Sequence, residues 1–119
     1  MDSMMAPTLA VDGEGLSLAG GAAGGTRLRT ALLGVISGIL DEGLDAEAAV
    51  QRPRFHPAPD TVNAEPGVDA WALAELEARG RNVRRWPEQH HYFGGVSVVS
   101  RSSGSAGDPR RSGAAATPR

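Results

Sequence analysis

Between Gly20 and Leu40 the sequence reads GGAAGGTRLRTALLGVISGIL, a block of glycine and alanine followed by a long apolar segment. Glycine loses more conformational freedom on folding than any other residue, so such a block marks backbone that must turn or approach something closely. From Thr26 the apolar positions Leu28, Leu32, Val35, Ile36, Ile39 and Leu40 recur at helical spacing. Thr26 is the expected N-cap, and Gly43 the expected stop after Asp41 and Glu42. A glycine-rich loop between a strand and a helix brings unhindered N–H groups to a helix N-terminus, where unpaired donors and the dipole favour negative charge. The anion is a phosphate, a carboxylate or the oxyanion of an acyl transfer, and the block alone does not choose among them. GGAAGGTR lacks the lysine of a phosphate-binding loop and the G-x-G-x-x-G spacing of a dinucleotide fold. The competing reading is a tight turn that needs positive φ.

The flanking sequence supplies the frame. Pro7–Val11 reads as a strand, Asp12–Gly15 (DGEG) as a turn and Leu16–Ala19 as its hairpin partner, so a hairpin feeds the glycine block. Gly34 and Gly38 interrupt the helix four residues apart, a spacing that predicts one face lying close to another backbone and a helix buried against a sheet. Asp45 precedes a short helix to Gln51, broken at Pro53. Arg54–Gly67 reads as an irregular crossing with one strand at Thr61–Ala64. Val68–Arg79 is an amphipathic helix with Trp71, Leu73 and Leu76 for packing and Gly80 at its end. Strands follow at Asn82–Trp86 and Gly95–Arg101. The domain expectation is therefore one body over 1–101 and a Ser/Gly/Ala/Arg-rich tail over 102–119 with little to bury, mostly mobile except around Asp108–Arg111.

Composition narrows the function. The chain has 119 residues, no cysteine and a formal charge of −2. A disulfide framework, a thiolate metal site and a cysteine nucleophile are excluded, and no basic field marks a nucleic-acid binder. No apolar run nears the roughly 18 residues of a membrane span, and the first residues do not read as a secretory leader.

Five short motifs occur in one order: SMMAPT at Ser3–Thr8, GGAAGGTR at Gly20–Arg27, RPRFH at Arg52–His56, AEPG at Ala64–Gly67 and GDPRR at Gly107–Arg111. Together they resemble the C-terminal part of the small subunit in the gamma-glutamyltranspeptidase family, whose pattern runs SSM-S/A-PT, G-S-P-G-G-S/T-R, A-PR-F/I-HH, V-E-P/K-G and A-S-DPRR. The resemblance implies an α/β (α+β) chain, part of a four-layer αββα N-terminal nucleophile hydrolase fold that is incomplete here. It implies a precursor that cuts itself into two subunits, with a new N-terminal threonine that attacks the γ-glutamyl amide of glutathione and passes the acyl group to water or an amine. The expected partners are γ-glutamyl compounds, the large subunit and the rest of the small subunit; no cofactor, metal or nucleic acid is expected. A periplasmic or secreted location follows from the resemblance alone.

By the same resemblance, the two glycines that donate to the oxyanion fall on Gly24 and Gly25. The two serines that hold the substrate's α-carboxylate fall on Ser3 and Met4. A thioether donates no hydrogen bond, so Met4 implies weaker glutamyl affinity or a different acyl preference. Ala22 and Ala23 replace Ser-Pro and leave the backbone donors in place. Thr8, Thr26, Thr30 and Thr61 are internal and lack the free amine of the nucleophile, so the chain by itself is expected to be inactive. The alternative is a non-catalytic remnant of the fold that binds a small anion or another chain.

The remaining candidates read structurally. His56, His90 and His91 carry no ligand spacing for a metal. Asp108 with Arg110 and Arg111 is expected to form an internal salt bridge that pins the tail. Trp71 and Trp86 are expected to pack.

Overall fold

The structure is a computed structural model that describes residues 5–116. Strand β1 (Thr8–Asp12) pairs antiparallel with β2 (Gly15–Ala23), and the Asp12 side chain accepts the Glu14 N–H at 2.8 Å in the turn between them. The second strand runs four residues further than its sequence suggests. Gly20 to Ala23 pair with Val98 to Gly95 of β6 (Gly95–Ser100), so most of the glycine and alanine block is strand and only its last two glycines turn. The small residues admit the partner strand, since a Cβ on Gly20 would stand 3.0 Å from the Ser97 carbonyl oxygen.

Strand β7 (Gly104–Ala106) completes an antiparallel sheet in the order β1-β2-β6-β7. Side chains alternate across a sheet, and here Leu18, Ala22, Val96, Val98 and Ala106 share the buried face. They pack with Leu28, Ala31, Leu32, Val35 and Ile39 of α1 (Leu28–Leu40) and with Ala46, Ala49 and Val50 of α2 (Ala46–Gln51). Leu18 and Val35 are each 1% exposed; burial of that extent stabilises by about 1.5–3 kcal/mol per side chain. α1 does lie against a sheet. Its two glycines differ, however. A Cβ on Gly38 would meet Ala49 and Leu44 side-chain atoms at 3.3 Å, whereas one on Gly34 would meet nothing. α2 starts as its sequence predicts, with the Asp45 carboxylate accepting the Ala48 N–H at 2.7 Å.

Composition points to little burial after Ser102 except around Asp108–Arg111; Asp108 and Arg110 are buried there, and Ala106, outside that exception, is buried as well. The reason is pairing: β7 adds to the exposed edge of β6, and a 3-10 turn at Pro109–Arg111 follows it, with Asp108 as its cap.

These elements belong to one compact unit, formed by the described residues up to Arg52 together with those from His91 to 116. Pro53–His90 forms a second unit. It holds β3 (Phe55–Pro57), β4 (Val62–Ala64), α3 (Ala70–Ala78) and β5 (Val83–Arg85), with β4 antiparallel to β3 and parallel to β5. β3 escapes the sequence because it is three residues long and ends on a proline. Glu65 organises the unit: its carboxylate accepts the Arg54 N–H at 2.9 Å and the His90 N–H at 3.3 Å. Asp69 caps α3 through the Trp71 and Ala72 amides. Leu73 is buried, but Trp71 is 74% exposed, against the expectation that it packs. Two residues along a helix rotate by about 200°, so the face that buries Leu73 turns Trp71 to solvent. Trp86 does pack: its indole N–H donates to Asn63 at 3.0 Å and Arg84 stacks on its ring. Among the described residues no helix is long and apolar enough to cross a membrane.

Candidate functional site

Where β2 ends, Gly24 has φ 135° and Gly25 has φ 60°, a region that L side chains rarely adopt. The two residues reverse the chain into a 3-10 turn, Gly25–Arg27, that leads directly into α1. Its hydrogen bonds use the two glycine carbonyls: Arg27 N–H donates to Gly24 at 3.3 Å and Leu28 N–H donates to Gly25. Among the described residues neither glycine N–H is paired to a main-chain carbonyl. Thr26 is exposed and does not cap the helix, in contrast to its sequence reading; the N-cap position falls on Arg27, with no side-chain cap bond. The first turn is closed by main chain instead, which makes a side-chain cap unnecessary.

The turn rests on the segment before β6. His91–Phe93 forms a 3-10 turn, Phe93 is 1% exposed, and Gly94 follows at φ 79° with its N–H donating to the His91 carbonyl at 3.2 Å. A Cβ on Gly24 would lie 2.8 Å from Gly94 Cα, and one on Gly94 would lie 3.0 Å from the Ala23 carbonyl oxygen, so both positions accept only glycine without movement. Arg27 reaches across: its Nε–H donates to the Tyr92 carbonyl at 3.1 Å and its guanidinium sits 4.9 Å from the centre of the Tyr92 ring.

The C-terminal motif lies alongside. Asp108 accepts the Val96 N–H at 2.9 Å at the start of β6 and pairs with the Arg110 guanidinium at 3.2 Å, both side chains fully buried. Arg110 also donates to the carbonyls of Val50 at 2.8 Å and Arg52 at 3.0 Å. The expected internal salt bridge is thus Asp108–Arg110. Arg111 does not join it; its stem covers Gly95, where a Cβ would stand 2.6 Å from Arg111 Cδ, and its Nη2 donates to the His91 carbonyl at 3.4 Å. A groove of about 390 Å³ runs beside the turn, lined by Pro7, Gly21, Ala23, Gly95, Ser97 and Arg111 among others.

Of the residues predicted for the site, Gly24 and Gly25 stand together at the mouth of α1. Ser3 and Met4 lie outside the described residues, and Met5, next in sequence, bridges to Ala23. Arg27, Tyr92 and Gly94 were missed. The paired glycines after Phe93 were the available signal, since adjacent glycines ahead of a strand mark close backbone approach.

The sequence profile of gamma-glutamyltranspeptidase matches residues 1–117. The chain belongs to the gamma-glutamyltranspeptidase family. Over 83 residues it is 36% identical to the glutathione hydrolase proenzyme of Escherichia coli, an alignment covering 68% of this chain and 14% of that protein. Its fold is similar to a crystal structure of Helicobacter pylori gamma-glutamyltranspeptidase, with TM-score 0.74 and 30% identity, covering 92% of this chain and 62% of that one. It is also similar in fold to gamma-glutamyltranspeptidase from Pseudomonas nitroreducens complexed with L-DON, with TM-score 0.80 and 24% identity, covering all of this chain and 64% of that one. The chain therefore spans less than two thirds of these relatives, and its fold is part of the N-terminal nucleophile hydrolase architecture of gamma-glutamyltranspeptidases.

Proposed function

We propose that this chain is the C-terminal part of the small subunit of a gamma-glutamyltranspeptidase-like enzyme and supplies its oxyanion donors, the Gly24 and Gly25 amides. The observation that carries the reading is the positive-φ pair at the head of α1, with both carbonyls used by the turn and both N–H groups unpaired to main chain among the described residues. Donors held this way need no reorganisation when charge develops on a carbonyl oxygen, and removal of one such donor costs about 2.7–4 kcal/mol in other acyl-transfer enzymes. The positive end of the α1 dipole adds to the same field.

The nucleophile, a threonine with its own free amine, comes from another segment, and the acyl group transferred is the γ-glutamyl group of glutathione or a related amide. Ser3 contributes to holding the donor's α-carboxylate, and Met4 leaves that contact one hydroxyl short. The chain alone is inactive and works with the rest of the small subunit and a large subunit.

The test is release of chromophore from a γ-glutamyl anilide by the chain joined to a nucleophile-bearing segment of the family. Activity is expected after self-cleavage. Gly24→Ala, which displaces the turn from Gly94, should lower kcat about a hundredfold or more with a much smaller change in KM. A folded, self-cleaved protein that stays inactive overturns the reading and leaves the non-catalytic alternative.

A further inference from the structure

We propose that Arg27 is a positioning residue: clamped on Tyr92, it fixes the Gly24–Gly25 turn against the His91–Gly94 segment. The inference rests on the reading of the two amides as donors and names what aims them. An arginine at this point is unfavourable by itself, because a cation stands at the positive end of the α1 dipole and the position offers no side-chain cap. The side chain resolves the conflict by turning away from the helix axis. Its Nε–H donates to the Tyr92 carbonyl at 3.1 Å while the guanidinium carbon lies over the Tyr92 ring, 4.9 Å from its centre.

Both contacts are made by one planar, fork-shaped group. A lysine offers a single point charge and cannot donate sideways to a carbonyl while it stacks on a ring. The main chain of the same residue closes the turn, with Arg27 N–H on Gly24 and the Arg27 carbonyl accepting the Thr30 hydroxyl at 3.1 Å. Arg27 therefore ties the far side of the turn to Tyr92, as Gly94 supports its near side at Gly24. With the clamp released, the turn keeps its near-side seat of Gly24 on Gly94 but loses its tie on the far side, and the N–H vectors of Gly24 and Gly25 gain freedom to swing.

The test measures backbone order in the full ¹⁵N-labelled chain, with the exposed Leu9 and Val99 replaced by lysine throughout to keep it monomeric, for the parent, Arg27→Ala, Arg27→Lys and Tyr92→Leu. In the parent the order parameters of Gly24 and Gly25 should stand near 0.85, roughly the rigid-backbone value, and in Arg27→Ala and Arg27→Lys fall below about 0.6, with Leu18 and Val98 unchanged. Tyr92→Leu keeps the carbonyl and loses the ring, and should give a smaller fall. Order parameters at the parent values in Arg27→Lys and Tyr92→Leu overturn the proposal, and these two variants decide it even if Arg27→Ala does not fold. In the assembled enzyme Arg27→Lys should lower kcat at nearly constant KM. If the turn loosens while Gly24→Ala leaves kcat intact, the donor reading fails and the clamp stands; if the turn stays rigid, the clamp fails whatever kcat does.

Discussion

Two glycines of one helix and one strand end show how differently the same residue type is constrained. Gly34 sits in the middle of α1 with open space where a Cβ would go. Gly34→Ala should stabilise the chain by about 0.5–1 kcal/mol, read as a higher urea midpoint. Gly24 has φ 135° and would drive a Cβ to 2.8 Å from Gly94 Cα. Gly24→Ala should cost about 1–3 kcal/mol in the same measurement, because both the strained dihedral and the backbone contact must be relieved. Arg110 is a third case. Its guanidinium serves Asp108 and two carbonyls without solvent, so Arg110→Ala removes the cation that faces the buried Asp108 carboxylate and should destabilise by about 3–5 kcal/mol. Arg110→Lys should recover little of that, since one ammonium cannot reach Asp108 and both carbonyls in the same geometry.

At the scale of elements, the β1–β2 hairpin carries its own pH dependence. The Asp12 carboxyl is held below its ordinary value of 3.8, first by the Glu14 N–H that donates to it and then by the Arg101 guanidinium from the end of β6. A depressed folded value means the charged form is the stabilising one. Its contribution is complete well above 3.8 and disappears as the pH drops through the folded value beneath it. The site is exposed, so the effect is small. The thermal midpoints of the parent and Asp12→Asn should differ slightly at neutral pH and converge in acid; a gap that persists at the lowest pH removes the assignment. Glu77 behaves alike in the second unit, lowered chiefly by its hydrogen bond from Arg85, and links α3 to β5.

At the scale of the molecule, among the described residues α1 and α2 pack on one face of the β1-β2-β6-β7 sheet. On the other, Leu9 pairs across to Ala19 and Ala19 to Val99, a row on which Leu9 is 71% and Val99 61% exposed. The first unit thus holds one helical layer and one sheet of a fold whose full form stacks two sheets. Apolar rows of this kind drive association when nothing lies on them. The chain alone should self-associate in light scattering at micromolar concentration, and the double variant Leu9→Lys, Val99→Lys should shift it to monomer without loss of helical circular dichroism.

Sequence by itself determined whatever depends on neighbours a few residues away. The DGEG turn, the Asp45 cap, the apolar stripe of α1 and the stop at Gly43 all act within one or two turns of chain, and each is present. The Asp108–Arg110 bridge was legible too, because its partners are two residues apart. Tertiary structure decided the rest. Whether GGAA is loop or strand depends on β6, more than seventy residues on, whose ladder supplies the hydrogen bonds that no local signal specifies. Trp71 faces water because the packed face of α3 was taken by Leu73, and Thr26 lost its cap role to a main-chain turn. Family membership was readable from five weak motifs in order. The seat of Gly24 on Gly94 and the clamp of Arg27 on Tyr92 were not, since each joins two segments about 65–70 residues apart that only the closed sheet brings into contact.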